Sequence, residues 1–470
     1  MQIKLALPKG PLQDRTAVLL KEAGFAVGDY DQGSRSYRPQ CEASPGLFVK
    51  VFHEKDIAIQ VAIGNYDLGI CRFDWVEELL VKYHSDAVVK VQALGYGKRN
   101  LYAVAADSSE VGSLQELKSR SESLRIVTEY PNLAESFALT QRLRKFQIFP
   151  VWGAAGAYLP ENAELAIMTG ASSSVLREQG LVPVATILGG GAYLVANRNS
   201  LESKDLSRIL SALSAAEVVA TDVEEAVKIG AGSGTRRQIE GEFGIYLALP
   251  DGHQQRHTAG FLKKAGLGIR GYSVGRPTTR PRIGLDGVAV KVVRPQDMPL
   301  QVANGSFDLA ITGRDWLQDH RFRFPSSPVE EVLELGFGWV RIVAVVSQDL
   351  PVSSTKDLRR LGRDSALRLA SEYVNIADKY ALDNHLVPYK LIPTWGATEA
   401  FLPEDADVLI ENTETGSTIA KHKLKIIDTL FESSACLIGN TEAMRRRDKR
   451  EKISHVIEAM RRGVEARPVS

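Results

Sequence analysis

The sequence predicts an α/β protein built as two tandem copies of one two-lobed unit, and three observations predict it. The first is internal repetition. LALPKG at 5–10 returns as LALPDG at 247–252, YDLGICRFDW at 66–75 as FDLAITGRDW at 307–316, and WGAAGAYLPENAELAI at 152–167 as WGATEAFLPEDADVLI at 395–410. The offset stays between 241 and 243 residues, too long for a solenoid repeat and long enough for a whole domain. The second is the alternation of short apolar strands with amphipathic helices, the pattern of βαβ units with mostly parallel sheets. The third is GAGSGTRRQIEGE at 230–242, whose glycines and charges read as the linker between copies.

Each copy opens with an apolar strand (IKLALP; GIYLALP), a glycine-bearing turn and a helix ending at AG. A polar segment, the strand GLFVKVFH or GVAVKVVR, a helix and the run YDLGI or FDLAI follow. Near LYAVAA (101–106) and RIVAVV (341–346) the chain is expected to cross into a second lobe, where Ser or Thr ahead of SLQELKSR and STKDLRRL helices supplies N-caps. It returns after GGGAYLVAN or SSACLIGN, and a long basic helix closes the chain. The boundaries expected are a first copy at 1–235 (lobe I 1–100 plus 187–235, lobe II 101–186), a linker at 236–242, and a second copy at 243–470 (lobe I 243–340 plus 431–470, lobe II 341–430).

Bulk properties narrow the function. A 470-residue chain, 44% hydrophobic and with net charge +1, has no basic field for nucleic acid or a membrane surface. Cys41, Cys71 and Cys436 form no zinc spacing and read as buried thiols of a reducing compartment. MQIKLALPKG is too short and too early broken for a signal peptide, and no run approaches a membrane span. A cytoplasmic protein acting on small molecules is expected. His253 and His257, one helical turn apart, lack a third metal ligand and read as solvated histidines.

The chemistry concentrates in ADVLIENTETGSTI (406–419). A hydrophobic strand runs into Glu411, Thr413 and Glu414, and Thr415, Gly416, Ser417 and Thr418 then open a helix. Such a turn aims backbone N–H groups and hydroxyls into one concavity, which suits a phosphate. The acids ahead of it suit ribose hydroxyls or the water shell of magnesium. At the end of the first strand, Lys9 beside Gly10 stands where ligand crevices border α/β sheets. Arg35 and Arg38 in SRSYRP, with Arg276, Arg280 and Arg294 in the second copy, offer forks for polyphosphate.

With these motifs in hand, the chain resembles the ATP phosphoribosyltransferase family. VVRPQDMP (292–299), DLAITGRDWL (308–317), RLASEYVNIADKY (368–380) and ADVLIENTETGSTI carry the resemblance in the second copy. LALPKGPL (5–12), YDLGI (66–70), LRIVTEYPN (124–132) and the later WGA segment carry it in the first. The resemblance implies lobes like type II periplasmic binding proteins. It implies attack of N1 of ATP on C1 of phosphoribosyl pyrophosphate (PRPP), with magnesium on the polyphosphates, as the first step of histidine biosynthesis. The shortness of the segment after the last strand resembles the short form, which implies a histidyl-tRNA-synthetase-like regulatory partner.

The copies depart from that pattern in different places. In the first, TETGST becomes GASSSV (170–175), Met168 matches Glu411, Gly156 matches Glu399, His53 matches Arg294 and Arg72 matches Gly313. In the second, Asp251 matches Lys9. Neither holds a full set, so one composite site is expected in a covalent pseudo-dimer open to further oligomerisation. Glu411, Thr413, Glu414, Thr415, Gly416, Ser417 and Thr418 hold PRPP, Arg294 and Lys9 act on pyrophosphate, and Gly10, Arg35 and Arg38 address ATP or pyrophosphate. The competing expectation is an inactive nucleotide- or histidine-binding regulatory subunit.

Overall fold

The computed structural model describes residues 2–31, 36–83, 86–109, 111–216, 244–272, 278–362 and 365–465; the linker expected at 236–242, Arg35 and Arg276 lie outside them. Each half forms two five-stranded sheets of one topology. In the first lobe of the first copy the order is Leu47–Phe52, Ile3–Pro8, Leu68–Arg72, Ala192–Asn197, Val88–Ala93. The second copy repeats it with Val288–Val293, Ile245–Pro250, Leu309–Gly313, Ala435–Asn440 and Val329–Glu334. The second lobes follow suit, with Leu124–Thr128 and Leu165–Gly170 central in one and Leu367–Ser371 and Val408–Thr413 in the other.

The sheets are mixed rather than mostly parallel. Ile3–Pro8 pairs parallel with both of its neighbours, but Ala192–Asn197 runs antiparallel to Leu68–Arg72. It re-enters from the other lobe and so meets the sheet from the opposite end. Strands Leu181–Gly190 and Leu424–Ser433 stay in the second-lobe sheets past the boundaries expected at 186 and 430.

The repeated YD and FD explain themselves locally. Asp67 is buried and accepts from Lys4 N, Ser200 Oγ and Lys204 Nζ, tying the start of the first strand to the returning segment. Asp308 does the same for Tyr246 N and Lys449 Nζ. The closing helix Arg447–Glu465 buries Ile453, Val456 and Met460 in the core that holds Phe261 and Leu262, and leaves Arg450, Arg461 and Arg462 in solvent. All three cysteines are buried and free. Among the described residues no helix is long and apolar enough to cross a membrane.

The copies pack head to tail. One core joins Leu5, Phe52 and Tyr66 of the first copy's first lobe to Phe401, Leu402 and Leu409 of the second copy's second lobe. Its counterpart joins Tyr158 and Leu159 to Val293, Met298 and Phe307. Each seam carries one buried lysine. Lys50, with no exposed side-chain area, lies 2.7 Å from Glu404 and 2.6 Å from Asp405. Lys291 lies 2.9 Å from Glu161 and donates to Asn162 Oδ1 at 2.5 Å. A lysine buried this way is retained only because paired carboxylates offset its desolvation.

Candidate active site

The two interlobe clefts have diverged. In the second copy a cavity of about 630 Å³ opens between the lobes, bounded by Asp251–Gln254 and Arg294 on one wall and Glu411–Thr415 on the other. Its hinge side is formed by Phe337, Gly338 and Val340. At the matching hinge position of the first copy, Arg72, Asp74, Arg99 and Gly190 enclose a niche of about 10 Å³. Arg72 lines it, 3.1 Å from Glu54 and 3.5 Å from Asp74, and donates to Tyr130 Oη at 3.2 Å. Burial opposes that guanidinium's charge, but Glu54 and Asp74 outweigh it and hold its pKa above the ordinary value. The second copy has Gly313 there, and a Cβ on it would stand 2.0 Å from Asp315 Oδ1.

The floors differ too. A Cβ on Gly156 would lie 3.3 Å from Met168 Sδ, so a thioether occupies the floor of the first cleft. The second holds Glu399 and Glu411 at these positions, beside Glu372, the counterpart of Glu129. Burial, then Glu399 and Glu372, push the Glu411 carboxyl well above the carboxylate range. Burial and Glu399 raise Glu372 to about 7. Three recessed acids repelling one another favour a ligand that donates hydrogen bonds or brings positive charge.

The TETGST turn is built as the sequence predicts. Gly416 has φ +76 and donates its N–H to Thr413 Oγ1 at 2.9 Å, while Thr415 Oγ1 donates to Ser417 Oγ at 3.1 Å. Only glycine adopts that φ without strain. The helix it opens, Ser417–Lys421, is one turn long, so loop amides and hydroxyls, more than a macrodipole, make the concavity.

The cationic residues fall out differently. Arg294 lines the cleft and pairs with Asp251 at 3.3 Å. Its shaft reaches the first copy, where a Cβ on Gly153 would be 2.8 Å from Arg294 Nε. Lys9 is outside the cleft lining. Its Nζ donates to Tyr37 Oη at 3.0 Å, and the Tyr37 ring packs 4.7 Å from His422, which caps the short helix of the TETGST turn. Gly10 forms the neighbouring turn with φ +100, its N–H on Gln13 Oε1.

Arg38 does not face the cleft. It grips Glu404 with Nε at 3.2 Å and Nη2 at 2.8 Å and belongs to the seam between copies. Arg280 grips Glu161 in the same way. The sequence offered forks for polyphosphate, and the structure spends these two on carboxylates of the other copy.

Three cleft residues were passed over by the sequence reading. Glu372 lies in SEY, and its repeat in TEY as Glu129 was the available signal. His253 and His257 are exposed, as the sequence reading expected, and they line the wall of this open cleft. A second cavity, about 760 Å³, runs between the copies past Trp75 and Trp316 and shares Gln296, Trp316 and Glu372 with the cleft.

Comparison with known proteins identifies the family. The family model described as HisG: ATP phosphoribosyltransferase matches residues 53–215 and again 294–462. ATP phosphoribosyltransferases of Chlorobaculum parvum and Chlorobium chlorochromatii are 34% and 35% identical over 217 residues, 45% of this chain and 69% of each relative. That of Thermodesulfovibrio yellowstonii is 31% identical over the same shares. A solved structure titled ATP phosphoribosyl transferase (HisG:HisZ) complex from Thermotoga maritima aligns with 47% of this chain and all of its own, at 21% identity and TM-score 0.39. Matched twice along its length, the chain belongs to the ATP phosphoribosyltransferase family, enzymes of the phosphoribosyltransferase class.

Proposed function

We propose that the chain condenses ATP with PRPP in one composite site, housed in the second copy's cleft and completed by the first copy. The observation that carries this reading is the divergence of the clefts: the second opens about 630 Å³ around Glu399, Glu411 and the TETGST turn, whereas the first has Met168 at its floor and Arg72 paired with Glu54 at its hinge. N1 of adenine forms a bond to C1 of the ribose as the C1–O bond breaks, and pyrophosphate leaves with the bonding electrons. Adenine N1 is unprotonated at neutral pH, so no general base is required. Catalysis rests on positioning and on stabilising the departing charge.

Thr413, Thr415, Gly416, Ser417 and Thr418 hold the 5-phosphate, and Glu411 and Glu414 orient the ribose hydroxyls. Arg294 meets the pyrophosphate. Lys9 supplies charge from the first copy, supported by the Tyr37–His422 contact that sets its strand end beside the phosphate turn. Arg35 belongs to the same proposal although it lies outside the described residues. Arg38 is withdrawn from it.

Magnesium comes with the substrates and neutralises their polyphosphate charge. At most one or two carboxylates such as Glu414 would touch an ion carried on phosphates. A histidyl-tRNA-synthetase-like partner is carried forward as a proposal, read by co-elution of the two proteins on size-exclusion chromatography.

The test is phosphoribosyl-ATP formation from ATP and PRPP. Thr415→Ala and Lys9→Ala should each lower turnover. If Thr415→Ala abolishes it while Lys9→Ala leaves it unchanged, sharing between copies is wrong. The inactive regulatory reading draws on one observation, the Arg294–Asp251 pair that ties up the cleft's guanidinium. Binding of ATP without turnover by the wild-type chain would favour it.

A further inference from the structure

We propose that His253 and His257 form a polyphosphate-contacting pair on the first-lobe wall of the second cleft, an inference that rests on the transferase reading above. The motivation is a charge imbalance. The cavity lining presents the carboxyl groups of Asp251, Asp315, Glu372, Glu399, Glu411 and Glu414, yet among its described residues Arg294 is the only arginine or lysine. Arg294 already faces Asp251 at 3.3 Å. Both substrates are polyphosphates, so such a cleft needs further donors on the wall opposite the 5-phosphate turn.

The two imidazoles are placed to supply them. They begin the twelve-residue helix His253–Lys264, one turn apart on the face that lines the cavity, and both are exposed. The first turn of that helix has no side-chain cap, so its amides add donors to the same wall. An imidazole donates an N–H to a phosphate oxygen in either protonation state, and a nearby anion favours its charged form. The internal comparison points the same way. The first copy, which keeps Lys9 where the second has Asp251, carries Pro11 and Arg15 at these two positions. The second copy thus lost a lysine at the strand end and presents two imidazoles within the next turns.

The shared chemistry is a di- or triphosphate, and kinetics separates its two sources. The full chain is assayed with His253→Ala/His257→Ala and with His257→Arg. The double variant should raise KM for one substrate about tenfold or more, as loss of charge-assisted hydrogen bonds does, with the other KM within about twofold. His257→Arg should stay near wild type. A rise confined to ATP assigns the triphosphate, and one confined to PRPP the diphosphate. No rise, or an equal rise in both, overturns the proposal. A wild-type chain with no turnover sinks the transferase reading instead. Calorimetric titration with inorganic pyrophosphate then decides the histidines: weaker binding by the double variant upholds them, and equal or absent binding by both proteins overturns them.

Discussion

Two glycines carry the sharpest consequences at the scale of single residues. Gly313 puts no side chain where Arg72 reaches Glu54 and Asp74 in the first copy, and its missing Cβ leaves room for Asp315. Gly313→Arg should put a guanidinium there and lower phosphoribosyl-ATP formation by about a hundredfold or more, because displacing a positioning group costs that much. Its far-ultraviolet circular dichroism should stay unchanged. Gly153 belongs to the other copy, yet its bare Cα gives Arg294 passage. Gly153→Ala meets the flexible shaft of that arginine, so stability should fall by less than about 1 kcal/mol. Turnover should drop about tenfold as the guanidinium moves. Unchanged kinetics in Gly153→Ala would show that Arg294 does not act from that position.

At the scale of elements, the seams between copies rest on buried charge. Asp405→Ala leaves Lys50 without exposure and with a weaker partner in Glu404, itself shared with Arg38. Breaking a buried pair from one side costs roughly 3–5 kcal/mol, which a urea titration of the full chain would register as an earlier midpoint. The strands, the returning segments and the TETGST turn were legible in the sequence, since apolar runs, a Gly at positive φ and a strand-ending acid are local signals. Arg38 was not. A guanidinium fork looks the same in sequence whether it meets phosphate or Glu404, and the choice is made by a residue 366 positions away. His253 and His257 are exposed as expected, but their place on a cleft wall was not legible for a related reason. Helical spacing says which side chains share a face, and the opposing lobe decides whether that face meets solvent or a cleft.

Across the whole molecule, acid sensitivity should arise where the copies meet. Burial, first of all, and then neighbouring cations press His53 and His422 down to about 4 from the ordinary imidazole value. Their folded pKa values are depressed, so the stability they allow is intact above about 6.5 and is lost as pH falls from there toward 4. His53 also caps the helix Glu54–Ala62 through Nδ1, a task asparagine performs without titrating. His53→Asn should therefore flatten the fall in melting temperature between pH 6.5 and 4.5 while matching wild type at pH 8. An unaltered acid limb would show that this imidazole contributes nothing to it.

Because Glu54 and Asp74 pin Arg72 at the hinge of one crevice, and Met168 stands at its floor, one binding site per chain is expected. Equilibrium titration with PRPP should saturate at one equivalent per polypeptide along a hyperbola, for the twin carries GASSSV, Met168 and Gly156 where a second ligand would need the phosphate turn and its acids. Any sigmoidal response must originate between separate chains.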